Sequence, residues 1–364
     1  MRFLLTLARI IVGVLFIFSG LVKANDPLGL SYKMQEFFDV WHTYFLNDYA
    51  LTLALVMNFF EIIAGVAILI GWRTKLFTWL LFLLIIFFTF LTAYAAFSGK
   101  IAACGCFGDC IPLKPMQSFW KDVILFILIL FLLINHRRVR SIVSARTAIA
   151  ILLISTTAVA GLQWYVLKHL PIVDCLPYKK GNDLLELMKT PAGAISDEYS
   201  YTFKYKKAGK VYEFPEDSLP ENLDDSYEFV ERGQKLVKKG NDLKAKITDF
   251  NLVTASGVDT TQAILAQQGK YILVFAGVIN NKHVERYDTK LWQQIKTQVP
   301  MFFVTADPEG AAKIADGVLT ILKADGTVIK TAARANPTYF VMQGAKVLGK
   351  YSYADADEVL NLLK

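Results

Sequence analysis

Residues 76–98 read LFTWLLFLLIIFFTFLTAYAAFS. These 23 residues contain no Asp, Glu, Lys or Arg. As a helix they extend about 35 Å, enough to cross the roughly 30 Å hydrocarbon core of a bilayer. An uncharged run of that length is expected to span a membrane, and it fixes the class of the chain. Outward from it, residues 3–22, 50–71, 119–135 and 147–168 are apolar runs long enough to span, each with at most two charges, giving about five transmembrane helices. The first is too long for the apolar core of a signal peptide, and residues 21–25 lack a small-x-small cleavage site, so it is read as retained.

The chain has two compositional regimes. Up to about Pro171 it is dominated by Leu, Ile, Phe and Val, and from Asp174 onward it reads as an ordinary charged globular protein. The net charge of +7 does not imply nucleic acid. Much of the excess lies between apolar runs, and the rest lacks the aromatic interleaving of a single-strand groove. The basic residues set the orientation instead. Arg2, Arg73, Lys75, Arg137, Arg138, Arg140 and Arg146 lie at one set of helix junctions, whereas the longer opposite loops hold only Lys23, Lys33, Lys100 and Lys114. The positive-inside rule then puts the N-terminus in the cytoplasm and everything after Lys168 outside, which in a diderm bacterium is the periplasm.

All four cysteines fall at that outer edge. Cys104, Cys106 and Cys110 share the loop after the third span, and Cys175 follows the fifth. Three readings compete: structural disulfides, a redox-active dithiol, and a four-thiolate metal site. Cys-x-Cys-x3-Cys does not match zinc spacing, and His42, His136, His169 and His283 show no ligand spacing, so no metal is expected. A disulfide between Cys104 and Cys106 closes a very tight ring, and strained exposed disulfides are the labile ones. Gly105 and Gly108 permit the backbone angles this requires. The spacing thus favours the dithiol, with structural bridges as the rival.

Two charges lie well away from the span ends. Glu61 is near the middle of the second, and Arg9 about two turns into the first. Counting from the cytoplasmic ends puts them within about one turn in depth, so they are expected to pair, as a buried register-fixing ion pair or as a proton relay. Between the first two spans, residues 31–46 are too polar to cross. Met34, Phe37, Phe38, Trp41, Tyr44 and Phe45 give them one aromatic face, read as an interfacial helix beneath or beside the cysteine loop. That face can roof a pocket for a membrane quinone, or serve as an anchor alone.

Phe18-Ser19-Gly20-x-x-Lys23-x-x-Asp26-Pro27, with Glu61-x-x-x-Gly65 and Gly71, resembles the DoxX family of small membrane proteins. Cys104-Gly-Cys106-Phe-Gly108 followed by Asp122 is similar to the related MauE branch. The resemblance covers about the first 135 residues and implies a four-helix membrane domain tied to periplasmic thiol–disulfide chemistry. The whole architecture is similar to Bacteroidota proteins that append a fifth helix and a periplasmic domain. Because the matched motif contains only Cys104 and Cys106, the resemblance implies that these are the reactive pair. Cys110 and Cys175 then form an added structural bridge.

Beyond the spans, residues 199–214 alternate as a β-hairpin, with residues 227–230 a third strand. After the polar stretch 235–246, strands are expected at 249–254, 271–275 and 301–305, and helices at 282–298 and 309–315. A hairpin around Gly344 and a helix at 354–363 close the chain. This order resembles the thioredoxin-like fold, and Asn336-Pro337 stands where such folds place a cis-proline beside a peptide groove. The departure is chemical: residues 276–281 hold no cysteine where that fold carries Cys-x-x-Cys, so this domain is not expected to exchange thiols and is read as a docking module or as purely structural.

The sequence thus describes a membrane helical bundle with a soluble α/β (α+β) domain at its C-terminus. The expected domains are 1–170, membrane; 171–246, a β-rich connection; and 247–364, thioredoxin-like. The expected function is thiol–disulfide redox chemistry assisting maturation of exported proteins. The rival is a non-enzymatic scaffold that recruits a periplasmic partner. The expected partners are the lipid bilayer and exported proteins.

Overall fold

The computed structural model describes the chain apart from residues 1, 102–104, 196, 221–222, 225, 239, 242, 278, 280, 316 and 364, and apart from the side chains of 236 and 281–283. Among the described residues, five helices are long and apolar enough to cross a membrane. The first, α1, is Arg2–Asn25. It stops where Asp26 caps α2, Pro27–Val40: the Asp26 carboxylate accepts from the Gly29 amide, and Pro27 occupies a first-turn position that needs no N–H donor. The interfacial helix therefore starts four residues earlier than the aromatic pattern suggested. It ends before His42, whose φ of 56° is left-handed. A 3-10 turn, Tyr44–Tyr49, leads into α3, Ala50–Ile70. Gly71, at φ 72°, closes that helix by letting the Trp72 amide reach the Ala67 carbonyl. Then follow α4, Thr74–Ser98, α5, Pro115–Ile134, and α6, Ala145–Lys168.

The bundle closes on small residues. A Cβ on Gly65 would lie 2.9 Å from the Gly13 carbonyl oxygen, and one on Gly13 would lie 3.0 Å from that of Gly65. The backbones of α1 and α3 thus meet directly, as small residues allow in membranes. Leu5, Val12, Phe16, Ile68, Leu81 and Ile129 form the apolar core. Phe3, Leu83, Ile127, Ile154 and Trp164 face outward, as suits a lipid surround. The span threonines satisfy their hydroxyls on their own helix, Thr78 on the Thr74 carbonyl (2.7 Å) and Thr89 on that of Ile85 (2.6 Å).

Residues 183–248 form a compact unit of their own. It holds α7, Leu184–Met188, and a three-stranded antiparallel sheet of β1, Glu198–Lys207, β2, Lys210–Pro215, and β3, Glu228–Lys238, in the order β2-β1-β3. The third strand runs eight residues past its expected end, into a lysine-rich stretch.

Residues 249–364 group with residues 1–182 in the other unit. Their elements are β4 (Val253–Thr254), α8 (Thr261–Leu265), β5 (Lys270–Ala276), α9 (Thr289–Lys296), β6 (Met301–Thr305) and α10 (Pro308–Ala315). Then come β7 (Thr320–Lys323), α11 (Gly326–Ala332), β8 (Thr338–Gln343), β9 (Lys346–Ser352) and α12 (Val359–Leu363). The sheet order is β4-β7-β6-β5-β8-β9. β5, β6 and β7 are parallel, and β8 and β9 are antiparallel additions. Buried Trp292, Phe303 and Tyr339 pack one face of it, with Trp292 Nε1 donating to the Tyr339 hydroxyl at 3.0 Å. The expected helix 282–298 is broken, because Asp288 caps α9 through the Lys290 and Leu291 amides after a 3-10 turn, Asn281–Arg286. The Asn336–Pro337 bond at the entry to β8 is cis.

Candidate functional site

The loop between α4 and α5 makes its turn on glycine. Gly105 and Gly108 take φ of 68° and 56°, and the Gly108 amide donates to the Gly105 carbonyl at 3.0 Å. Cys106 lies inside this turn, half-buried, with a free thiol. Ser19 of α1 donates to the Cys106 carbonyl (3.0 Å), and Phe18 packs on Phe107 with ring centroids 5.7 Å apart. The Phe18-Ser19 pair therefore pins the loop to the bundle. Gly20 serves packing, since a Cβ there would lie 2.5 Å from Ile62.

Beneath the loop lies a set of buried charges. Lys23 pairs with Glu61, both side chains almost wholly inaccessible, and the Lys23 ammonium also sits 5.0 Å from the Phe88 ring centroid. Asp122 is fully buried, held by Lys121 at 2.6 Å and by the Thr92 hydroxyl at 3.0 Å. One ammonium per carboxylate offsets the desolvation that unpaired charges would suffer here. The second Glu61 oxygen, Oε2, is buried with no hydrogen-bond partner among the described residues.

This corrects the expected Arg9–Glu61 pair. A Cβ on Gly71 would meet Arg9 Nη1 at 3.0 Å, so Arg9 stands level with the end of α3 and not with its middle. Its Nη1 donates to the Arg140 carbonyl at 3.1 Å. The depth count assumed that helix ends lie flush, but the first two turns of α1 project beyond α3. Glu61 instead meets Lys23, whose stem is tilted back toward the N-terminus of α1.

A cavity of about 50 Å³ opens between the loop and α2, lined by Ser19, Lys23, Met34, Phe37, Cys106 and Lys121 among others. It suits a few waters and is smaller than the roughly 150 Å³ that holds a benzene ring. Of the expected aromatic face only Met34 and Phe37 line this cavity, which at that volume is too small for a quinone ring. Burial pushes the Cys106 thiol up in pKa; Lys121 and Lys23 oppose this, and Asp122 reinforces it. Ser118, buried and with no hydrogen bond among the described residues, lies beside the thiol and would favour the thiolate. The balance leaves Cys106 protonated at neutral pH.

Cys110 and Cys175 form a disulfide, with Cα atoms 4.9 Å apart across 65 residues of chain. Cys104 lies outside the described residues. Among the described residues no three His, Cys, Asp or Glu side chains gather as a metal site.

Next to the bridge sits a charge clasp that the sequence did not signal. Arg334, 4% exposed, donates through Nε to both Asp26 oxygens (2.9 and 2.7 Å) and through Nη2 to Asp109 (2.9 Å). Its Nη1 donates to the Lys330 carbonyl. Burial opposes its charge, but the two carboxylates hold the guanidinium above its ordinary pKa. Lys350 pairs with Asp174 at 2.8 Å, and His169 with Asp355 at 2.7 Å. Asp26 of the sequence motif thus caps α2 and binds Arg334, two residues before Asn336-Pro337; the Asn336 amide oxygen accepts from Tyr287 at 3.1 Å. Lys121, Ser118, Asp109 and Arg334 were all missed as site residues. Only Lys121 carried a signal, as a second charge beside Asp122 at the head of an apolar run.

No curated protein and no solved structure matches the chain. Residues 199–239, spanning the three-stranded sheet, match a domain of unknown function, DUF8463. Residues 1–135, which carry α1 to α5 and the cysteine loop, match the family model of the methylamine utilisation protein MauE, so this part of the chain is a MauE-like multi-pass membrane domain.

Proposed function

We propose that the protein is a membrane-anchored thiol–disulfide redox protein in which Cys104 and Cys106 are the exchanging pair and Cys110–Cys175 is structural. The observation that carries this reading is the free Cys106 thiol, held in a glycine-built turn beside the ammonium groups of Lys23 and Lys121. In the exchange, a thiolate of an exported protein attacks one sulfur of a Cys104–Cys106 disulfide. A mixed disulfide forms, and the other cysteine leaves as thiolate. A second substrate thiol then displaces the bound cysteine, so the substrate gains a disulfide while the pair takes up two electrons and two protons; the reverse direction balances equally. Lys23 and Lys121 stabilise the leaving thiolate. No step is assigned to a quinone.

The strand order of residues 249–364 supports reading this domain as thioredoxin-like, without a redox centre of its own. We assign it to docking, through a peptide groove proposed beside Asn336 and Pro337. The MauE-like match supports a membrane location, and the basic helix junctions support an orientation with the N-terminus in the cytoplasm and the C-terminal domain in the periplasm. The alternative, a scaffold fastened by a disulfide, is favoured by the Arg334 clasp alone. A Cys104→Ala or Cys106→Ala variant expressed in cells separates the two. Exchange predicts mixed disulfides with exported proteins that reductant dissolves. A scaffold yields none in either variant.

A further inference from the structure

The end of the bundle opposite the cysteine loop holds a groove of about 780 Å³ into which Arg2, Arg9, Arg137, Arg138 and Arg140 converge. Residues 2–9, 71–75 and 136–146, which form this end, contain eight Arg and Lys and no Asp or Glu. Among the described residues no carboxylate answers these guanidiniums. Arg9 Nη1 is spent on the Arg140 carbonyl and Arg138 Nη1 on the Asn135 side chain. Arg9 Nε is buried with no partner among the described residues. The positive-inside bias accounts for basic residues at this end, but not for a buried guanidinium nitrogen left with an unfilled donor. The same groove has an apolar side made by Leu5, Val139 and Ile142.

We propose that this groove binds a phosphate group, supplied by the headgroup of an anionic phospholipid. Arginine forks match phosphate oxygens two at a time, and basic pockets between spanning helices suit acidic headgroups. The apolar wall lets the acyl chains continue along the bundle, which a free anion would not need.

The test uses the full-length protein in a neutral detergent, read by thermal unfolding and by native mass spectrometry. It is titrated separately with phosphatidylglycerol, phosphatidylcholine and inorganic phosphate. The proposal expects phosphatidylglycerol to raise the melting temperature and stay bound, and phosphatidylcholine to do neither. Arg9→Gln should weaken the apparent affinity roughly tenfold, as loss of a charge-assisted contact does. Arg137→Gln should do the same, and because Arg137 is exposed it carries the test if Arg9→Gln fails to fold. Lipid as the source is supported if millimolar phosphate does not displace phosphatidylglycerol. Displacement reassigns the same site to free phosphate. Equal binding of the two lipids, or wild-type binding by the Arg137 variant, overturns the proposal.

Discussion

Cys106 is caught between burial, which favours the neutral thiol, and two ammonium groups, which favour the thiolate, and burial prevails. Its folded pKa lies above the ordinary thiol value, so the reactive thiolate becomes abundant only at higher pH. In a Cys104→Ala background, where Cys106 is the free cysteine, alkylation of the folded protein at pH 7.5 should be at least about tenfold slower than after unfolding in SDS, and should climb steadily as pH rises past about 8.5. A rate already level at pH 7 would mean that Lys23 and Lys121 dominate instead. The cysteine loop was legible in the sequence because its chemistry is local: two cysteines and two glycines in five residues. The partner of Glu61 was not, because it depends on how far α1 slides past α3, and no run of residues encodes that offset. Arg334 was hidden for a related reason, since its two carboxylates are 225 and 308 residues away.

The spanning helices were legible from hydropathy alone, whereas short elements were not. β7 has four residues and α11 seven, too few for a period to show, and Asp288 broke an expected helix by capping the second half of it. β3 ran on through Lys235 and Lys238 because strands in a thin, solvent-facing sheet tolerate lysine outward. What the elements do together rests on the Gly13–Gly65 approach. Gly65→Ala puts a methyl 2.9 Å from the Gly13 carbonyl oxygen, and overpacking of this kind costs about 1–3 kcal/mol. Gly161 of α6 has nothing within 4 Å of its would-be Cβ, so Gly161→Ala should be neutral or gain about 0.5–1 kcal/mol. Thermal unfolding in detergent compares them. A Gly65 variant as stable as the Gly161 one would show that α1 and α3 can part without loss.

At the scale of the molecule, Arg334 with Asp26 and Asp109, and Lys350 with Asp174, tie residues 249–364 to the bundle beside the Cys110–Cys175 bridge, and His169 adds a contact to Asp355. Arg334 is the most deeply committed, answering two carboxylates from inside. Replacing it by Gln leaves Asp26 and Asp109 facing each other, and breaking a buried pair costs about 3–5 kcal/mol. The Arg334→Gln variant should melt earlier and be cut faster by protease in the segment after α6. Unchanged melting and cleavage would reduce the clasp to an incidental contact. The division of labour among the four cysteines is tested most directly by equilibrating the full-length protein in glutathione buffers of graded potential. Differential alkylation and peptide mass spectrometry then read each cysteine. Cys104 and Cys106 should pass together between disulfide and dithiol across the series, while Cys110–Cys175 stays oxidised throughout. If Cys104 and Cys106 remain unlinked thiols in every buffer, or Cys110–Cys175 opens first, the redox assignment is wrong.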